Sequence, residues 1–210
     1  LVSRATTQLI KKYYLELTDF FGVNIEQIRE QWFNELIELR DKYSEFTKKE
    51  YIALFIYRKA MNEGVFPITM NKVMRSGIRK KHLLNASGGL NRLKILDKPY
   101  HFEVIVENLF ISICDILEIP RIIIEKLCEF ESKLIRPKYI NELATWCIQL
   151  TDIYLEKTGF MEIPKNKFHE LSGMSGTSYV QKSRELFLNQ PKLTEEMQCL
   201  VETRLKSEQT

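Results

Sequence analysis

Tyr51-Ile52-Ala53-Leu54-Phe55-Ile56-Tyr57 is an unbroken apolar run. On a helix it leaves no polar side, so the helix that carries it must be enclosed by its neighbours. Thr47 followed by Glu50 forms a capping box just before the run, and Gly64 follows it. These signals predict a helix over 48–63. Gly and Pro are sparse in the chain, and long alternations of β-branched residues are absent. The expected fold class is therefore all-α.

Reading outward, Leu9, Ile10, Tyr13, Tyr14, Leu17, Phe20 and Phe21 recur at helical spacing and end at Gly22. Asn24 is placed to cap a second helix bearing Ile25, Ile28, Trp32, Leu36, Leu39 and Tyr43. After the enclosed helix, Pro67 and Thr69 open a short fourth one with Val73 and Met74. A fifth ends in Leu90, Leu93, Ile95 and Leu96, and Ser87-Gly88-Gly89 blurs its start. Asp97-Lys98-Pro99 reads as a connector, and the pattern then begins again. Phe102 to Leu117 carries one apolar face, Pro120 opens the next helix, and 140–155 is a second enclosed helix stopped at Gly159. Pro164 starts a short helix over 165–171, and Gly173 precedes a helix from about Thr177 to Leu188. Pro191 and Thr194 introduce a last helix with Met197, Leu200, Val201 and Leu205 on one face.

The halves correspond in detail. Asp19-Phe20-Phe21-Gly22-Val23 matches Asp115-Ile116-Leu117-Glu118-Ile119, and Ile28 matches Ile124, at an offset of 96. Gly64 matches Gly159, and Asn71-Lys72-Val73 matches Asn166-Lys167-Phe168, at an offset of 95; the third helices slip, so that Ala53 pairs with Ala144. The period is far too long for a solenoid. The expected organisation is two tandem five-helix repeats, over 1–97 and 98–190, followed by a C-terminal helix over 191–210.

Charge is unevenly distributed although the formal net charge is only +3. From Lys72 to Lys98 there are eight bases (Lys72, Arg75, Arg79, Lys80, Lys81, Arg92, Lys94, Lys98) against one acid, Asp97. Such a stripe forms an anion-binding surface or simply a solvated face. Lys165, Lys167 and His169 make a weaker basic group at the matching place in the second half. Cys114, Cys128, Cys147 and Cys199 each fall in an apolar helical pattern with no C-x-x-C pair, which predicts buried reduced thiols in an intracellular protein. No apolar run is long enough to span a bilayer and no signal peptide is visible. The chain starts at Leu1 without an initiator Met, as a piece of a longer protein would.

Catalysis finds no support. His82, His101 and His169 are isolated, and phosphate-loop and nucleophile-elbow signatures are missing. Trp32, Phe55 and Trp146 read as core. The expectation is a protein that is no enzyme and has no small-molecule substrate, metal or cofactor of its own.

Several stretches resemble the core of the transcription factor IIB family, a tandem of two cyclin-fold repeats. Glu63-Gly64-Val65-Phe66-Pro67-Ile68-Thr69, followed by Asn71-Lys72-Val73, is similar to that family's E-G-V-P-x-T-x-x-E-I-like run. Ala53-Leu54-Phe55-Ile56-Tyr57-Arg58 resembles its third helix, and Leu117-Glu118-Ile119-Pro120 its L-P turn. Gly173-Met174 through Arg184-Glu185-Leu186 resembles its second recognition helix, although the family's arginine would fall at Val180 and its tyrosine falls at Ser183. The likeness runs from about Gln8 to Leu188. The drift and the Ile/Lys/Asn-rich composition suggest a divergent member, of the kind carried by a large DNA virus of the asfarvirus type.

The resemblance implies a transcription initiation factor core that binds promoter DNA together with a TATA-binding protein and recruits RNA polymerase. It implies a helix-turn-helix in the second repeat, and a zinc ribbon preceding this chain in the full-length protein. Location would be the nucleus, or a cytoplasmic viral factory. Thr177 and Gln181 would meet base edges, and Ser178, Lys182 and Arg184 would meet phosphates, along with Arg75, Arg79, Lys80, Lys81, Arg92, Lys165 and Lys167. A solvated polar helix face accounts for the same residues. A cyclin-like regulatory subunit of a protein kinase is the alternative that the fold alone permits.

Overall fold

Left-handed glycines at Gly22, Gly159 and Gly173 stop three of the helices, and the Ser3 side chain caps the first. In the computed structural model, which describes residues 3–94, 96, 101–187 and 190, the chain forms ten α-helices and three 3-10 helices. There is no strand among the described residues. The helices are α1 (Arg4–Phe21), α2 (Glu26–Lys42), α3 (Lys49–Glu63), α4 (Met70–Met74) and α5 (Lys80–Leu93), then α6 (Phe102–Ile116), α7 (Ile124–Ser132), α8 (Leu143–Thr158), α9 (Lys165–Ser172) and α10 (Gly176–Phe187). Single 3-10 turns, Ser44–Thr47, Arg121–Ile123 and Ile140–Glu142, lead into α3, α7 and α8. The helix expected over 191–210, with Cys199, and the connector 97–99 lie outside the described residues.

Two local expectations are corrected, and one point left open is fixed. Ile25, not Asn24, occupies the N-cap of α2, and no side chain caps it. Thr47 does not cap α3, because its hydroxyl accepts a hydrogen bond from Arg40 Nε of α2. The start of the fifth helix, which Ser87-Gly88-Gly89 blurs in the sequence, lies at Lys80, and the helix runs through those three residues. Gly89 is required there by close approach, since a Cβ would stand 2.1 Å from Tyr51 Oη.

The described residues form two compact units: one of residues through Asn62 and from Lys72, the other of Glu63–Asn71 and residues from His101. In the first unit α3 buries Tyr51 through Tyr57 without interruption. Ile10, Tyr14, Leu17, Trp32, Leu36, Phe46, Leu83 and Leu90 complete its core. Each such side chain contributes about 1.5–3 kcal/mol of apolar burial. Two polar ties cross this core. Tyr14 Oη donates to Arg29 O at 2.6 Å, and the buried Lys59 ammonium pairs with Glu35 at 2.6 Å.

In the second unit α8 plays the part of α3. It is buried from Leu143 through Ile153 and packs against α6, α7 and α9. The buried Glu131 carboxylate accepts from Arg136 Nη2 at 3.0 Å and from Trp146 Nε1 at 3.4 Å. Residues 63–71 enter this unit at Gly64, whose φ is +65° and whose missing Cβ would lie 2.8 Å from Ile105 O. Asn108 Nδ2 donates to Glu63 O at 3.1 Å, and Thr69 Oγ1 donates to Ser172 O at 2.5 Å.

The offset seen in the sequence recurs in the backbone. Val23 N donates to Thr18 O at 2.9 Å, and Ile119 N donates to Cys114 O at 2.8 Å. The residue inside each of these turns is left-handed, Gly22 at φ +74° and Glu118 at +55°. Ile10 and Val106, Tyr14 and Phe110, Leu17 and Ile113, Thr18 and Cys114, Phe21 and Leu117, and Val23 and Ile119 are buried pair by pair. Burial pushes the Cys114 thiol up to about 11, and Cys147 is also raised by burial, so both are held as neutral thiols. Cys128 is free and half-buried, which departs from the expectation of burial at that position. No helix among the described residues is long and apolar enough to cross a membrane.

Candidate nucleic-acid interface

α4 is one turn long and is held by Val73, which is wholly buried. The chain leaves it through Arg75 N to Lys72 O, at 3.1 Å, and through Gly77, whose φ of +84° only glycine adopts without strain. Arg79 then takes the N-cap of α5 with no side-chain hydrogen bond and no acid in the first turn. The first amides of α5 are thus left to water or to an anion. Leu83, Ala86 and Leu90 turn inward, and Arg58 of α3 donates to Asn91 Oδ1 at 2.6 Å, fixing the rotation of α5.

That rotation leaves Lys80, Lys81 and Arg92 outside, with Arg79 at the N-cap and Arg75 in the turn before it. All five are exposed and none forms an ion pair with a described residue. There is no Asp or Glu from 72 to 96. Unscreened cations on one surface with no local counter-charge raise the potential there, and phosphates relieve it.

The corresponding part of the second unit is built differently. α9 ends at Gly173, φ +69°, and the three residues Gly173, Met174 and Ser175 turn the chain into α10. Ser175 Oγ accepts from Ser178 N at 3.3 Å and caps α10, a role the sequence reading missed. Tyr179, Val180, Ser183 and Phe187 face inward. Phe187 stacks on Trp146 with ring centroids 4.8 Å apart. Tyr179 Oη donates to the buried Asp152 carboxylate at 2.6 Å, and Tyr179 O accepts from Gln149 Nε2 at 3.1 Å. Val180 and Ser183, where the resembled family carries arginine and tyrosine, are both in the core, so neither position presents a side chain to a ligand.

Thr177, Ser178, Gln181 and Arg184 are exposed on the outer face of α10. Ser178 Oγ is 3.1 Å from Ser175 Oγ, within the cap. Lys182 is placed apart from them: its ammonium pairs with Glu142 at 2.8 Å and with Glu185 at 3.5 Å. Burial works against its charge, but the two carboxylates outweigh that and raise its pKa above the ordinary lysine value. Lys165 and Lys167 are exposed on α9, whereas the His169 ring is turned inward, 4.8 Å from the Tyr179 ring. Beside Lys165 opens a groove of about 540 Å³ walled by Asp152, Glu156 and Glu162.

Among the described residues no group of three or more His, Cys, Asp or Glu is placed to hold a metal ion. Comparison with family models, with curated proteins and with solved structures returned no match.

Proposed function

We propose that the chain is the core of a transcription initiation factor: two cyclin-like five-helix repeats that bind promoter DNA together with a TATA-binding protein and recruit RNA polymerase. The observation that carries this reading is the outward set of unpaired cations at the start of α5 and at Arg92. The matched turns at Gly22 and Glu118, and the paired burial between α1 and α6, support a duplicated unit. The three-residue turn between α9 and α10 supports a helix-turn-helix, in which the second helix meets the major groove. The partners come from the resemblance to the transcription factor IIB family.

The mechanism is binding energy and geometry. Cations on α5 displace counterions from the phosphates. Thr177 and Gln181 meet base edges, and Arg184 meets the backbone. With Val180 and Ser183 buried, the shape of bent DNA carries much of the specificity.

A gel shift of a labelled promoter duplex over a salt series, with and without a TATA-binding protein, tests the proposal. The expected result is a further shift of the preformed complex that weakens steeply with salt. Arg79→Ala combined with Lys80→Ala should reduce the slope of log K against log salt by about 2, one unit for each lost phosphate contact. Absence of any shift at low salt, together with co-purification of a protein kinase, would overturn the proposal in favour of a kinase regulatory subunit.

A further inference from the structure

Gly88 sits inside α5, where glycine weakens a helix relative to alanine. Its neighbour Gly89 has an internal reason to be glycine, the approach of Tyr51. Gly88 has none. A Cβ there would meet only Arg92 Nη1, at 3.7 Å, an ordinary van der Waals contact. Its backbone is not left-handed. The protein's own packing therefore accepts a methyl group at this position.

Lys81, Asn85, Gly88 and Arg92 recur at helical spacing and share one face of α5. Lys81, Asn85 and Arg92 are exposed. At a rise of about 1.5 Å per residue, the Arg92 backbone lies ~6 Å to one side of Gly88 along the axis and Lys81 ~10 Å to the other, and the Arg92 guanidinium reaches back over Gly88, where a crossing strand would meet it. Neither cation is ion-paired with a described residue, and no acid occurs from 72 to 96. A glycine on a helix surface admits another backbone to close range. Cations bracketing it select a backbone that is itself anionic.

We propose that a nucleic-acid sugar–phosphate strand crosses α5 at Gly88, in contact with the helix backbone. Lys81 and Arg92 neutralise phosphates on either side, and the Asn85 amide donates to a phosphate oxygen. The inference rests on the nucleic-acid reading above and adds to it the place where the strand crosses the helix.

The test uses the full chain with Gly88→Ala and Gly88→Leu, a fluorescent duplex of about 20 base pairs, and thermal unfolding. Gly88→Ala should raise Tm by about 3 °C, because alanine is the better helix former. The same variant should weaken duplex binding about fivefold, and Gly88→Leu more than about tenfold, without altering the salt slope. Lys81→Ala should weaken binding and lower the slope by about 1. Wild-type affinity in both Gly88 variants would overturn the crossing point, as would a lowered Tm in Gly88→Ala. If Arg79→Ala with Lys80→Ala weakens binding while the Gly88 variants do not, only this inference fails. If neither set has any effect, the nucleic-acid reading fails with it. A Gly88-sensitive complex with polyglutamate but not with the duplex would assign the face to an acidic protein, and would also overturn the proposal.

Discussion

α5 and α10 occupy the same place in the order of helices, each following a short helix and a glycine turn, yet they handle charge in opposite ways. On α5 the cations have no described partner and no acid within reach in sequence. On α10 the one half-buried cation, Lys182, is held by Glu142 and Glu185. A paired ammonium must give up its carboxylates before it can meet a phosphate, whereas an unpaired one gives up only water. Basic residues on two helices of the same rank are thus not equivalent sites. If the proposed nucleic-acid binding holds, its electrostatic part falls to α5, and α10 offers a polar face on which Arg184 is the exposed cation.

The most severe way to break the comparison is to remove what seats α10. Trp146 is fully buried and stacked on Phe187, so Trp146→Ala should cost about 3–5 kcal/mol, read as a loss of chemical-denaturation stability. Binding measured on the remaining folded protein should keep its salt slope if α5 carries the electrostatics. Next in size is the charge test itself. Lys80→Met should weaken duplex binding by about 1 kcal/mol or more, while Lys182→Met should leave it within twofold. The converse sharpens the contrast: Glu142→Gln with Glu185→Gln releases Lys182 and should strengthen binding at low salt.

A smaller effect separates the two halves at their matched turns. Glu118 holds a left-handed conformation at φ +55° where its counterpart is Gly22. Glu118→Gly should stabilise the protein by about 1 kcal/mol, and Gly22→Ala should destabilise it by a similar amount, both read as shifts in denaturation midpoint. The smallest effect is electrostatic. Asp115 accepts two hydrogen bonds from Arg121, and these hold its carboxyl below the usual range. A depressed folded pKa contributes stability above the unfolded value, and that stability is lost as pH falls through the folded value. Arg121→Ala should therefore abolish a slight acid-limb contribution, seen by NMR as an Asp115 titration returned to the ordinary carboxylate range.

Much of the helix order was legible because glycines and prolines punctuate it and because α3 and α8 are apolar on every side. What escaped depends on residues distant in sequence. Ser87-Gly88-Gly89 leaves the start of α5 open in the sequence, and only Tyr51, distant in the chain, accounts for Gly89. Thr47 reads as a cap until Arg40 is found on its hydroxyl. The cations of α5 were legible because no acid lies nearby in the chain. Lys182 was read as a phosphate ligand because Glu142, forty positions away, gives no local sign of its presence. His169 joined the basic group on spacing alone, and the packing of its ring on Tyr179 turned it inward.

Residues 63–71 also bear on how the chain is made. They belong with α6 and α9, through Glu63 to Asn108 and Thr69 to Ser172. A ribosome delivers this segment long before the helices that receive it. The bond from Thr69 to Ser172 closes only when Ser172 has emerged, and the entropic cost of closing that loop grows slowly with its length. Nor can the second unit be excised cleanly at the connector. A fragment starting at His101 leaves behind residues 63–71, which belong to the same compact unit as α6 and α9.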